Sequence, residues 1–278
     1  MNASEIAARH GLKREGREWR GQCPACGYKG GLTLSESGGR PLWWCASCRD
    51  QVAVGKALLG DAVPARAEGA PEPERRQDRR AAVRALVDLA RPSPIIPNYW
   101  ASRGGRHGLP PAAPLLYLPN AKHPGGKRLP CMLALLHDLA GELVAVHRTF
   151  LAPGGTGKAA VEPVRMTLGD VRGAAVRLYP AAPHIVVAEG IESALAAAEL
   201  LGLPAWAATS AGNLADAMAL PPEVRTVTIA ADNDAPGRQA ARAAAVRWRA
   251  EGRTVKVATP DKPGADFNDL LRARGANG

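Results

Sequence analysis

Three carboxylate groupings in the second half of the chain follow directly on apolar runs or turns. Glu189-Gly190 closes HIVVA, Asp232-Asn233-Asp234 closes VTIAA, and Asp266-Phe267-Asn268-Asp269 follows a turn at Gly264. Residues two apart at a strand end can point the same way, as Asp232 and Asp234 would. Gathering Glu189 with them crowds several negative charges together, which is destabilising unless the cluster holds a cation. A purely oxygen ligand set suits magnesium or manganese. A lone Asp-x-Asp reads as a turn; three such groupings, each past an apolar stretch, read as a site.

A second chemistry sits near the N-terminus. Cys23-Pro-Ala-Cys26 and Cys45-Ala-Ser-Cys48 are two CxxC pairs separated by residues 27–44. That spacing predicts one tetrahedral zinc held by Cys23, Cys26, Cys45 and Cys48, a closed four-thiolate site with a structural role. Gly27, Gly30 and Gly31 supply bends, and the segment between the pairs can form a β-ribbon. Trp19, Trp43 and Trp44 lie beside the pairs, and Lys13, Arg14, Arg17 and Arg20 lead into them. Aromatics among cations suit single-stranded nucleic acid, where bases stack on rings and phosphates meet charge; Trp43, Trp44, Arg17 and Arg20 are the candidate contacts. Neighbouring strand residues face opposite ways, so one of Trp43 and Trp44 should be buried and the other exposed. Cys131, in an apolar run with no second cysteine near it, should be an ordinary core residue.

These residues need elements to position them. The chain has 278 residues and a net charge of +10, from 36 Lys+Arg against 26 Asp+Glu. Such an excess points to a polyanionic partner, nucleic acid before an anionic membrane. No run approaches about 18 uncharged apolar residues, and Met1 to Leu12 lacks the apolar stretch of a signal peptide. A cytoplasmic protein with no membrane partner is therefore expected. A reducing compartment makes the cysteine pairs metal ligands and not disulfides.

Residues 1–60 form the cysteine unit. Residues 61–80, rich in Ala, Pro, Glu and Arg, read as a linker that cannot build a core. Residues 81–90 have helical apolar spacing, and Pro92, Pro94 and Pro97 should stop any helix. Residues 109–180 read as short strands, with a hairpin in CMLALLHDLAGELVAVHRTFL turning near Asp138 and Gly141. GGTGKA at 154–159 is no Walker A loop, because Ala152 and Ala159 occupy the places that require Gly and Ser or Thr. From residue 184, strands alternate with helices: HIVVA, a helix ending at Gly202, AWAAT, VRTVTIAAD, a helix from about Pro236 to Glu251, and TVKVAT. That alternation predicts a parallel sheet covered by helices, with functional residues at the carboxyl ends of its strands.

EGIESAL, TIAADND and GADFNDLL resemble the Toprim domain of DnaG-type primases, topoisomerases and related nucleases. LKREGREWRGQCPACG resembles the start of the primase zinc-binding domain, and the four-cysteine set is similar to the phage version. Residues Lys127 to Tyr179 resemble the primase segment that precedes Toprim. The resemblance implies an α/β chain with an N-terminal zinc β-ribbon (1–60), a linker (61–80), an α+β basic subdomain (81–180) and a Toprim domain with a parallel sheet (181–278). It implies a DNA primase that makes short RNA primers on single-stranded DNA from NTPs, aided by a separate replicative helicase. By the same resemblance Glu189 is the catalytic acid, Asp232 and Asp234 are catalytic metal ligands, and Asp266 is a further ligand for magnesium or manganese. Arg128, Arg148, Lys158 and Arg165 then stand where primases hold nucleotide and template phosphates. Two positions depart from the pattern: Ser193, with Glu192 beside it, replaces an acid after the first Glu, and Asn268 replaces the second acid of the late loop. A Toprim nuclease and a non-catalytic single-strand-binding accessory factor are the competing readings; a topoisomerase would need a tyrosine nucleophile in a further large domain.

Overall fold

The structure, a computed structural model, describes residues 2–16, 18–37, 39–45, 50–60 and 72–276. It divides into two compact units, Met1–Ala70 and Pro71–Gly278. Arg17 and Cys48 lie outside the described residues, as does the segment 61–71.

In the first unit, Asn2 caps α1 (Ala3–Arg9): its side chain accepts the Glu5 N–H, and the Glu5 carboxylate accepts the Asn2 N–H. Strands β1 (Lys13–Glu15), β2 (Glu18–Gly21), β3 (Leu32–Ser37) and β4 (Arg40–Cys45) form an antiparallel sheet in that order. Asp50 then caps α2 (Gln51–Leu59) by accepting two backbone N–H groups. Ile6, Leu32, Leu34, Val54 and Leu58 pack into one small core together with Cys23 and Cys45. A core of this size needs a further staple, and the cysteine cluster is placed to be one.

The second unit opens with α3 (Glu72–Asp88), so a helix begins inside the stretch whose composition reads as a linker. Arg79, Arg80 and Arg84 are exposed and need no core, while Val83 is buried and Leu86 packs against the core. Next comes α4 (Ile95–Ser102). The prolines do not prevent it: Pro94 is its N-cap and Pro97 lies in its first turn, where N–H groups have no intrahelical partner to lose. Strands β5 (Leu115–Lys122), β6 (Arg128–His137), β7 (Leu143–Phe150) and β8 (Arg165–Gly169) form an antiparallel sheet. The expected hairpin is β6–β7. Asp138 accepts the Glu142 N–H in its turn, and Gly141 takes φ +85°. The GGTGKA stretch begins in a single 3-10 turn, Pro153–Gly155.

The remaining elements are β9 (Val176–Arg177), β10 (His184–Ala188), α5 (Ile191–Leu201), β11 (Ala205–Ala207), α6 (Ala211–Asp216), β12 (Thr226–Ala230), α7 (Ala235–Ala250), β13 (Thr254–Ala258) and α8 (Phe267–Ala276). The second sheet runs β13-β12-β10-β11-β9, parallel except for β9. Both faces of its central strands are buried, as their apolar runs require: Val186 and Ala188 lie in one core cluster, Ile185, Val187 and Ile229 in the other. The first cluster also holds Trp100, Met132 and Leu136. Residues on both sides of position 180 therefore share one core.

Candidate active site and cysteine centre

The acids sit where the parallel sheet ends. Ala188 pairs with Ala230 on one side and with Ala207 on the other. Glu189 thus follows the central strand, Asp232 stands two residues past its partner on β12, and Thr209 two past its partner on β11. The ladder continues beyond the strand, with Thr209 N–H donating to the Glu189 carbonyl at 2.8 Å. Asp234 caps α7 through its Oδ1, which accepts the Gly237 N–H at 2.7 Å. Asp266 precedes α8 and exchanges hydrogen bonds with Asp269, each backbone N–H donating to the other's carboxylate. Two of the four acids are therefore helix caps as well as members of the cluster.

The charges feel one another. Burial, then the charges of Glu189, Asp266 and Asp234, push the Asp232 carboxyl up to about 7, with Arg165 pulling the other way. Glu189 is raised by burial and by Asp234, against an N–H bond from Ala211 and the charge of Arg165. Asp232 Oδ1 is buried and has no hydrogen-bond partner. An orphaned carboxylate oxygen facing three further acids is a donor set that fits a hard divalent cation. Among the described residues the four carboxylates do not close into a ligand cluster as tight as that of the thiols.

The four basic residues expected to hold phosphates part company. Arg165, exposed at the start of β8, is near enough for its charge to oppose the upward shifts of Glu189 and Asp232. Lys158 is instead committed to Glu192 at 2.8 Å, and Tyr99 also donates to Glu192 at 2.5 Å. Burial opposes charge on Glu192, but Lys158 and the bonds it shares with Tyr99 hold its carboxyl at about 2. Arg148 lies on the other face of β7, beside Met166 and near Cys131, away from the acids. Arg128 is exposed at the start of β6, donating to the Asn120 carbonyl. The sequence does not reveal the partners of Glu192, which lies three residues after Glu189. Nor does it mark Thr209.

In the first unit the Sγ atoms of Cys23, Cys26 and Cys45 lie within 4.8 Å of one another, with Cys26 and Cys45 3.7 Å apart. A tetrahedron with Zn–S near 2.3 Å spaces its sulfurs about 3.8 Å apart, so the thiols fit zinc. The first knuckle is closed by Gly27 N–H donating to the Cys23 carbonyl, with Gly27 at φ +73°. At Gly31 a Cβ would stand 3.3 Å from Cys45 Sγ and 2.8 Å from the Tyr28 ring, a close approach that glycine permits. Cys131 is a buried core residue, its thiol pushed up to about 12 by burial.

Trp43 and Trp44 separate as strand alternation demands. Trp43 is half-buried: it packs on Gly55 of α2, and its indole donates to the Gln51 carbonyl at 2.9 Å, so it serves the fold. Trp44 is 44% exposed. Register places Lys13 opposite Arg20, Arg20 opposite Thr33, and Thr33 opposite Trp44, a row running across the sheet. Arg20 carries surface ion pairs to Glu15 and Glu18. Arg14 lies over the Trp19 ring at 5.5 Å.

Comparison with known families decides the C-terminal part, where residues 184–277 match the family described as the Toprim domain. Residues 184–277 are a Toprim domain. Residues 77–178 match a family described as a domain of unknown function (DUF7146). No curated protein matches the chain. Among solved structures, the crystal structure of the Aquifex aeolicus primase, with its zinc binding and RNA polymerase domains, is 15% identical, with a TM-score of 0.51 over 100% of this chain and 81% of that one. The primase fragment of the bacteriophage T7 primase-helicase protein is 17% identical over 93% of this chain and 95% of its own, with a TM-score of 0.41. A DnaG primase catalytic domain bound to ssDNA is 16% identical over 73% and 79%, at 0.49. The Aquifex likeness establishes a primase-like fold. No described helix is long and apolar enough to cross a membrane.

Proposed function

We propose that the protein is a DNA primase, joining ribonucleotides on a single-stranded DNA template by attack of a 3′-hydroxyl on an α-phosphate with release of pyrophosphate. The observation that carries this reading is the gathering of Glu189, Asp232, Asp234 and Asp266 past the carboxyl end of the parallel sheet, close enough for their charges to raise Asp232. Asp232, Asp234 and Asp266 would hold magnesium or manganese, with Glu189 as a further ligand or as the base for the hydroxyl proton. A divalent ion bound there neutralises the triphosphate and favours ionisation of the attacking hydroxyl. Arg165, exposed and with its charge felt at the acids, would supply a cation for a nucleotide phosphate through charge-assisted bonds. Lys158 acts at one remove: its bond to Glu192 fastens the 153–158 turn to the helix that follows Glu189. In the first unit, zinc on Cys23, Cys26, Cys45 and Cys48 would hold the sheet, and Trp44 with Lys13 and Arg20 would receive template bases and phosphates. Unwinding is left to a helicase, and the setting is the cytoplasm.

Incubation of the chain with single-stranded DNA, NTPs and magnesium tests the proposal. Short RNA products that vanish in Asp232→Ala support it. DNA cleavage instead would mean a Toprim nuclease, and binding without chemistry an accessory factor.

A further inference from the structure

Asn233 stands between two carboxylates and spends its hydrogen-bonding capacity elsewhere. Its N–H donates to the Ala265 carbonyl at 2.9 Å, and its own carbonyl accepts the Gly264 N–H at 2.7 Å. Its side-chain Nδ2 donates to the carbonyls of Pro260 at 2.8 Å and Asp261 at 3.3 Å, and its Oδ1 accepts from Arg238 Nη1 at 2.7 Å. All partners but Arg238 lie in the segment 260–265, which leads directly into Asp266. Arg238 belongs to α7, the helix that Asp234 caps. One amide therefore ties together the end of β12, the first turns of α7 and the loop that delivers Asp266.

The loop needs a tether. Residues 261–264 are exposed and contribute little packing. The charge at Asp266 acts unfavourably on Asp232, and like charges at short range push apart. We infer that Asn233 is a positioning residue for the divalent-ion site, holding Asp266 beside Asp232 and Asp234 against their mutual repulsion. The inference rests on the reading of these acids as metal ligands. Only an amide serves here, because it supplies donors for two carbonyls and an acceptor for Arg238 without charge. Aspartate would turn oxygens on the Pro260 and Asp261 carbonyls and add another negative charge to the cluster.

The test is titration of the full-length, zinc-loaded chain with Mn2+, followed by calorimetry, for wild type, Asn233→Ala, Asp266→Ala and the double variant. Changes in groups that orient metal ligands cost about 10–100-fold in affinity, and Asn233→Ala should weaken Mn2+ binding by about 10-fold. In the Asp266→Ala background the same change should cost less than about twofold, because a residue acting through Asp266 has nothing left to position. Arg238→Ala, which removes only the bond orienting the amide, is the milder second variant and should shift binding in the same direction. Unchanged Mn2+ affinity in both variants, or an equal loss with and without Asp266, overturns the inference, as does wild type that binds no Mn2+. Wild type that binds Mn2+ with the expected coupling but makes no RNA leaves the inference standing and removes the primase reading.

Discussion

Asn268 and Arg103 hold each other through two hydrogen bonds of 2.7 Å: the Arg103 guanidinium donates to Asn268 Oδ1, and Asn268 Nδ2 donates to the Arg103 carbonyl. Asn268 is fully buried. The pair bolts the start of α8 to the end of α4, and it explains why an amide replaces the acid that the family resemblance leads one to expect. An ionised carboxylate accepts but cannot donate to a carbonyl. Asn268→Ala would strand a buried carbonyl and a guanidinium whose Nε already lacks a partner. Each stranded group costs about 1–3 kcal/mol, so urea denaturation should show a loss of at least about 2 kcal/mol, with Mn2+ binding by the folded protein retained.

Asp232 should make the metal-free protein less stable as pH rises. Its carboxyl is pushed from an ordinary value near 3.8 up to about 7 by burial, then by Glu189, Asp266 and Asp234. The folded state therefore holds this proton more tightly than the unfolded state, and its contribution is lost between about pH 4 and pH 7. Asp232→Asn removes the titration. Without added magnesium, thermal unfolding at pH 8 should show a Tm at least about 2 °C above wild type, and at pH 4 the two should coincide. A difference that is the same at both pH values would show that the buried charge is not its source.

Asp234 differs from Asp232 because it also caps α7. Relief of repulsion and loss of the cap oppose each other, and Asp234 is the more exposed, so the cap should win. Asp234→Ala should cost about 1 kcal/mol, while Asp234→Ser, which keeps a capping oxygen, should stay near wild type. Both should abolish RNA synthesis, since a hydroxyl is a poor substitute for a carboxylate ligand of magnesium. Equal stability of the Ala and Ser variants would contradict the capping role.

The sequence made the Toprim sheet legible because its two central strands, β10 and β12, are apolar runs that lead into Glu189 and Asp232, and Cys23, Cys26 and Cys45 because CxxC spacing is itself geometric. What it concealed was partnership. Nothing local to Lys158 announces Glu192, and nothing near Asn268 announces Arg103, since both bonds join segments distant in the chain. Helix α4 escaped because proline stops a helix interior but not a first turn. The start of α3 escaped because a charged helix lying on a core carries little apolar signal of its own.

Trp43 and Trp44 should fail differently when truncated. Trp43→Ala removes the ring that packs on Gly55 and the bond to Gln51, and should lower the stability of the first unit by about 2 kcal/mol or more. Trp44→Ala removes an exposed ring and should leave stability unchanged. Stacking is worth about 1–3 kcal/mol per base, so Trp44→Ala should weaken single-strand binding by at least about 5-fold. Fluorescence anisotropy with a labelled oligonucleotide and thermal unfolding of the same samples separate the two; equal binding by Trp44→Ala and wild type would remove this face as a template surface.

Thr209 carries a strain that its place explains. It is the one non-glycine residue with positive φ, +65°, among the described residues. Its hydroxyl is buried without a hydrogen-bond partner, and its N–H is fixed on the Glu189 carbonyl. A left-handed conformation costs an L-residue about 1–2 kcal/mol, more than the roughly 0.5–1 kcal/mol of extra chain entropy that glycine brings. Thr209→Gly should therefore be neutral to slightly stabilising in thermal unfolding. The same change frees the backbone beside Glu189, which the β-branched residue holds rigid, so RNA synthesis should fall several-fold while stability does not. Thr209→Val keeps the backbone constraint and replaces the orphaned hydroxyl with a methyl, so it should hold both stability and the position of Glu189. A Thr209→Gly protein that is clearly destabilised would mean that the left-handed turn is supported by contacts of the side chain, and that no strain is stored next to the acid row.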